Sequence, residues 1–174
     1  MTTSKSDQDE LYAEAVAKHG AAVARLARAY ERNEDKRRDL EQDIHLALWK
    51  SFTAFDGRCS VRTWVYRVAH NIAAAHAGGE QRRRVGKTDL SAADAVAAQD
   101  NPEEDAAQKQ LLDRLMILIR SLEPLDRQIM ILYLEDVDAA ETADILGLSP
   151  GAVATRIHRL KALLAERFNA GGAR

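Results

Sequence analysis

An all-α fold of two small helical domains joined by a flexible acidic linker is what this sequence predicts, on three observations. Proline (3) and glycine (9) are scarce among 174 residues, alanine and leucine are frequent, and no stretch alternates apolar and polar residues as a half-buried strand does. Apolar residues recur instead at three- and four-residue spacing, in two blocks. Between the blocks, KTDLSAADAVAAQDNPEED (87–105) is small, polar and acidic, lacks a sustained apolar period and carries Pro102 near its end, which reads as a linker. The expected boundaries are 1–85 for the first domain, 86–105 for the linker, 106–168 for the second domain and 169–174 for a disordered tail, NAGGAR.

A hydrophobic fraction of 46% supplies material for cores and argues against wholesale disorder. The single cysteine, Cys59, leaves no internal disulfide and suits a reducing cytoplasm. It precedes a helix start, where reactivity is conceivable, but a passive small side chain is the simpler reading. MTTSKSDQDELY has no apolar signal core, and no run approaches the roughly 20 apolar residues of a membrane span, so a soluble cytoplasmic protein without membrane insertion is expected.

The formal net charge of -2 conceals a segregation. From Arg58 to Lys87 seven basic residues face Glu80 alone, and from Arg156 to Arg167 four face Glu166 alone. The acid is concentrated elsewhere, notably at Asp100, Glu103, Glu104 and Asp105. Two basic patches on two units can each attract phosphate while the whole chain stays negative; the alternative is two solvated helix faces.

In the first domain, 37–52 (RRDLEQDIHLALWKSF) reads as one helix. Leu40, Ile44, Ala47 and Leu48 form a buried stripe, while Asp39, Gln42, Leu46 and Trp49 form a second face roughly opposite. A helix apolar on two sides either lies deep in a bundle or meets a partner, and polar groups rimming an aromatic suit an interface. Asp56 and Gly57 make a turn, and Ser60 caps a helix to about Ala77 whose core stripe is Val61, Val65, Val68 and Ile72. Its other face carries Thr63, Tyr66, Arg67, His70 and Asn71, with Trp64 at the margin. Aromatics interleaved with arginine and amide groups suit single-stranded nucleic acid: bases stack on rings, cations hold phosphates and amides read base edges. For Trp64, partial burial is the plainer alternative.

In the second domain, Leu111, Leu115, Ile119 and Leu122 keep helical spacing, as do Leu125, Ile129 and Leu132 behind Pro124, which suits a first helical position. A short helix covers about 139–146. Gly147 then turns the chain, Ser149 caps and Pro150 opens the last helix. Val153, Ile157, Leu160 and Leu164 form its inward stripe; Thr155, His158, Arg159 and Ala162 lie opposite, flanked by Ala152 and Arg156. The positions of Ala143, Gly147, Ser149 and Val153 fit a helix-turn-helix, and a small-residue start followed by cations fits a major groove. A plain helical hairpin with a cationic face is the bland alternative. His45, His70 and His76 are not spaced as metal ligands, and the sequence holds no phosphate loop, nucleophile elbow or acid/base pair, so neither metal nor cofactor nor catalysis is expected.

Together these residues resemble the sigma-70 family of bacterial RNA polymerase sigma factors, and within it the two-domain extracytoplasmic-function (ECF) group. The first domain is similar to the second conserved region of sigma through Asp39-Leu40, Gln42-Asp43, Leu48-Trp49, Phe55-Asp56-Gly57-Arg58, Thr63-Trp64, Tyr66-Arg67, Ala69 and Asn71. The second domain is similar to the fourth region through Leu122, Pro124, Arg127, Leu132, Glu141, Ala143, Ile145-Leu146-Gly147, Ser149, Val153, Arg156, Ile157 and His158-Arg159. The resemblance implies that Asp39, Gln42, Asp43, Leu46 and Trp49 bind core RNA polymerase. It implies that Arg58, Arg62, Trp64, Tyr66, Arg67, His70 and Asn71 hold the melted minus-ten strand. It implies that Ser149, Gly151, Ala152, Thr155, Arg156, His158 and Arg159 read the minus-thirty-five duplex. Core polymerase, promoter DNA and an anti-sigma factor are the partners it implies, with no catalytic role. A free-standing helix-turn-helix regulator remains the alternative. The sequence departs from the family at Ala75, His76 and Gly78-Gly79, where an acidic residue, an aromatic and a basic pair are usual, and at Ala154, Leu160 and Ala162, which leave the last helix less cationic.

Overall fold

The computed structural model describes residues 5–85 and 103–170. It contains α1 (Lys5–Tyr30), α2 (Glu34–Ser51), a 3-10 turn (Phe52–Ala54), α3 (Val61–Val85), α4 (Glu103–Arg120), α5 (Pro124–Leu134), α6 (Ala139–Leu146) and α7 (Pro150–Ala170), with no strand among the described residues. Residues 86–102 of the expected linker and 171–174 of the expected tail lie outside the described residues; 103–105 and 169–170 are helical, so α4 starts earlier and α7 ends later than the sequence suggests. α3 likewise runs past Ala77. Gly78 and Gly79 each weaken a helix by about 1 kcal/mol, but the Glu-Gln-Arg-Arg-Arg run behind them consists of good helix formers.

Local chemistry sets the helix starts. Asn33 caps α2 by accepting from the Lys36 amide at 3.0 Å. The Ser60 hydroxyl accepts from the Thr63 amide at 3.0 Å and caps α3, and Asp138 accepts from the Glu141 amide at 2.8 Å at the head of α6. Each satisfies a donor that the first helical turn leaves without a partner.

α1 is rich in small residues. Ala15, Ala22 and Ala29 sit one heptad apart beside Val23, Leu26 and Ala27, all buried, which lets α2 and α3 approach closely. Leu40, Ile44 and Leu48 of α2 and Phe52 complete the first half of the core. The second half is built on Ile119, Leu122, Ile129, Val153, Leu160 and Leu164, and the two halves join in one continuous apolar cluster. α3 is the seam: it packs on α1 and α2 along one side and on α6 along another.

That position overturns the expected division of α3 into a core stripe and an open face. Of Val61, Val65, Val68 and Ile72 only Val65 is fully buried; Ala69 and Ala73 share its side, while Thr63, Tyr66 and His70 are buried as well. A helix clasped from two directions has two inward faces, and an apolar/polar pattern read on one helix shows only the more apolar of them.

Candidate nucleic-acid interface

The outer face of α2 is open. Asp39, Gln42 and Asp43 are exposed, and Leu46 is 52% exposed, so the second face is not buried in the bundle. Trp49 is half-buried: its indole N–H donates to Asp9 Oδ1 at 2.8 Å and its carbonyl accepts from Gln8 Nε2 at 2.6 Å, which ties the end of α2 to the beginning of α1. Beside this face, Asp43, Leu46 and Lys50 with Ile72, Ala75 and His76 of α3 line an open groove of about 360 Å³. His76 bonds Glu31 at 3.2 Å.

The turn before α3 is fixed by Gly57, whose φ of 73° is open to glycine at little cost. Asp56 accepts from the Arg58 amide at 3.1 Å and pairs with its guanidinium at 2.7 Å, leaving Arg58 pointing into solvent. Trp64 stacks edge-on against Phe55, centroids 5.4 Å apart, and gives its indole N–H to Ser51 at 2.9 Å. The ring is therefore partly buried against its own domain.

The expected strand-binding face of α3 is divided by the fold. Asn71 is exposed, while Tyr66 and His70 are 3% and 1% exposed. Tyr66 is enclosed by Ala22, Leu132, Val137 and Ile145, three of which come from the second domain. Burial, aided by nearby Glu135, pushes its hydroxyl up to about 12. His70 lies between the rings of Tyr30 and Tyr66, with centroids at 6.3 and 6.4 Å. Burial pulls its pKa down to about 3, so the imidazole is neutral and in this arrangement cannot hold a phosphate. The two arginines are also engaged. Arg62 donates to the carbonyls of Glu135 at 3.2 Å and Asp136 at 3.0 Å, and Arg67 donates to the carbonyl of Asp144 at 2.8 Å.

The last two helices have helix-turn-helix geometry. Gly147 adopts φ 69°, and its amide and that of Leu148 both donate to the Ala143 carbonyl, closing α6. Ser149 then accepts from the Ala152 amide at 3.2 Å to start α7. Val153, Leu160 and Leu164 are buried, with Ile157 at the margin; Gly151, Ala152, Thr155, His158 and Arg159 are exposed and Arg156 is half-buried. Thr155 directs its hydroxyl back to the Gly151 carbonyl at 2.9 Å.

One residue the sequence did not single out organises this face. Asp126, in the first turn of α5, is 9% exposed and takes one guanidinium on each oxygen, Arg156 at 2.7 Å and Arg159 at 2.9 Å. The acids of 135–144 were also missed. Glu135, Asp136, Asp138, Glu141 and Asp144 occur there without a basic residue, a local excess that the basic run on α3 could have called attention to.

Three kinds of comparison place the chain among known proteins. The family model "Sigma-70 region 2" matches residues 2–83 and "Sigma-70, region 4" matches 112–164, together most of the chain. RNA polymerase sigma factor CnrH of Cupriavidus metallidurans is 29% identical over 180 residues, covering 95% of this chain and 90% of the relative. Sigma factor NccH of Alcaligenes xylosoxydans xylosoxydans is 28% identical over 165 residues, covering 92% and 89%. Among solved structures, CnrH in complex with the cytosolic domain of CnrY superposes with a TM-score of 0.66 at 25% identity, over 91% of this chain and 88% of that one. RpoE of Bartonella quintana, in complex with the anti-sigma factor NepR, shares the fold with a TM-score of 0.69 at 18% identity, over 89% and 94%.

Proposed function

The chain belongs to the sigma-70 family of RNA polymerase sigma factors, in its ECF group, and directs promoter-specific transcription; from that premise we propose how its surfaces divide the work. The outer face of α2, with Asp39, Gln42, Asp43, Leu46 and Trp49, docks on core RNA polymerase. α3 and the turn before it take the melted minus-ten strand through Arg58, Arg62, Trp64, Tyr66, Arg67, His70 and Asn71, once the face is uncovered. Gly151, Ala152, Thr155, Arg156, His158 and Arg159 on α7, behind the Ser149 cap, enter the major groove of the minus-thirty-five element.

The observation that carries the division is Leu46, half exposed on a helix whose other large aliphatic residues, Leu40, Ile44 and Leu48, are buried. A lone leucine ringed by Asp39, Gln42 and Asp43 has the make-up of an interface anchor with a polar rim. A free-standing helix-turn-helix regulator has no use for it. The working place is the cytoplasm, and no described helix is long and apolar enough to cross a membrane. No catalytic step is assigned: the relatives are sigma factors, which are not enzymes. A protein regulator of the anti-sigma type is part of the proposal, by analogy with the partners of CnrH and RpoE.

Run-off transcription with core polymerase and genomic fragments tests the reading. The chain creates new start sites, Leu46→Glu abolishes them together with co-migration on core, and Arg159→Ala removes only some promoters. New starts that survive Leu46→Glu overturn the α2 assignment. With a net charge of -2, the chain alone binds duplex weakly and relies on polymerase for most of the phosphate grip.

A further inference from the structure

We infer that Asp9, in the first turns of α1, is a positioning residue for core docking: together with Gln8 it holds Trp49 in the one orientation that completes the outer face of α2. This rests on the assignment of that face to core RNA polymerase. Asp9 acts through Trp49 and does not itself touch the polymerase.

Three side-chain links join the start of α1 to the end of α2. The Trp49 indole N–H donates to Asp9 Oδ1 at 2.8 Å, and Gln8 Nε2 donates to the Trp49 carbonyl at 2.6 Å. One helical turn away, the Tyr12 hydroxyl and His45 Nδ1 lie 3.1 Å apart, with their rings edge-on at 6.1 Å between centroids. As α1 advances by a turn α2 retreats by one, so the links fix the register of an antiparallel pair. The Trp49 carbonyl lies in the last turn of α2, where partners within the helix run out. Gln8 is 5% exposed, and its buried amide needs an acceptor. Each group therefore satisfies the other.

Helical period places His45 and Trp49 on the flank of α2, between the buried stripe of Leu40, Ile44 and Leu48 and the exposed face that carries Leu46. The indole donor is spent inside the chain, so the ring meets a partner as apolar surface beside Leu46. A ring already fixed loses no rotamer freedom on docking; releasing it should weaken binding by about two- to tenfold. Asp9 is exposed, so removing its carboxylate opens no cavity in the bundle.

The test measures the affinity of the full chain for core polymerase by competition with labelled wild type. The variants are Asp9→Ala, Asp9→Asn, Trp49→Phe and Asp9→Ala/Trp49→Phe, with Leu46→Glu as the reference for the face. Proton–nitrogen correlation spectra of the free chain record the indole N–H signals of its two tryptophans, and Trp49→Phe identifies that of Trp49. Asp9→Ala should weaken core binding by about two- to tenfold and move the Trp49 indole signal. Asp9→Asn keeps the acceptor oxygen and should bind as wild type does. In the Trp49→Phe background, which has no indole donor, Asp9→Ala should add nothing. Loss with Asp9→Asn equal to that with Asp9→Ala, or a further loss in the Trp49→Phe background, shows that Asp9 acts by charge or by direct contact and overturns the positioning role. So does an Asp9→Ala chain that binds normally while Leu46→Glu does not. If Leu46→Glu also binds normally, the α2 docking face itself falls and takes this inference with it, and the two failures are thereby told apart.

Discussion

α3 and α7 are both amphipathic helices with a cationic polar side, both begin at a serine cap, and both resemble nucleic-acid readers; the fold treats them in opposite ways. α7 buries one stripe and leaves the other side to solvent, with its arginines gathered by Asp126 from its own half of the molecule. α3 buries two sides, and its arginines are held by backbone carbonyls from the other half; Arg67 and Asp144 are 77 residues apart in sequence. A polar face therefore becomes a binding face only when nothing else in the chain fits it.

The largest expected break in this comparison is Tyr66→Ala against His158→Ala. Emptying the apolar enclosure of Tyr66 should cost about 3–4 kcal/mol by urea unfolding, while the exposed His158 should change stability by no more than about 0.5 kcal/mol. Similar small losses at both positions would falsify the burial of this side of α3.

Acidity sharpens the contrast next. The pKa of His70 is lowered to about 3 in the fold, from an ordinary 6.5. The unfolded chain thus binds a proton below pH 6.5 that the native chain refuses. Stability is full above pH 6.5 and falls as the pH drops toward 3, by about 2 kcal/mol between pH 6.5 and 5. His19, lowered mainly by burial, acts in the same direction. Urea midpoints across this range should show the slope, and His70→Phe should remove most of it. His158→Phe on α7 should leave the slope as it is.

Asp126→Asn tests the other helix. Removing the shared carboxylate should cost roughly 1.5–3 kcal/mol. The freed Arg156 and Arg159 should raise non-specific duplex binding a few fold while lowering discrimination between intact and altered minus-thirty-five sequences, measured by competition with holoenzyme. Unchanged discrimination would show that Asp126 does not aim these arginines.

The smallest effect compares the two caps. Ser149→Ala should cost about 1 kcal/mol. Ser60→Ala should cost somewhat more in thermal unfolding, because Ser60 bonds both the amide and the hydroxyl of Thr63.

Much of the molecule was readable residue by residue. Pro124, Gly147, Ser149 and Ser60 mark helix boundaries through their own local chemistry: Pro124 opens α5, Gly147 makes the turn, and the two serine hydroxyls cap α7 and α3. The stripe Val153, Leu160 and Leu164 was visible because helical period is a local property. Tyr66 and His70 were assigned to an open face because their neighbours along the helix include Arg67 and Asn71; their burial depends on Tyr30, Val137 and Ile145, which no local window contains. Asp126 escaped notice because its role exists only once α7 folds back over α5.

The sequence by itself determined an all-α chain, the caps and turns, the inward stripes of α2 and α7, and membership of the sigma-70 family, since each rests on residues within a few turns of one another or on motifs in fixed order. Only the tertiary structure decided that the second face of α2 is open, that α3 is covered and that the acids at 135–144 meet the cations of α3. Those outcomes depend on which distant surfaces exclude water from one another, and helical periodicity shows that a face is polar without showing what it meets.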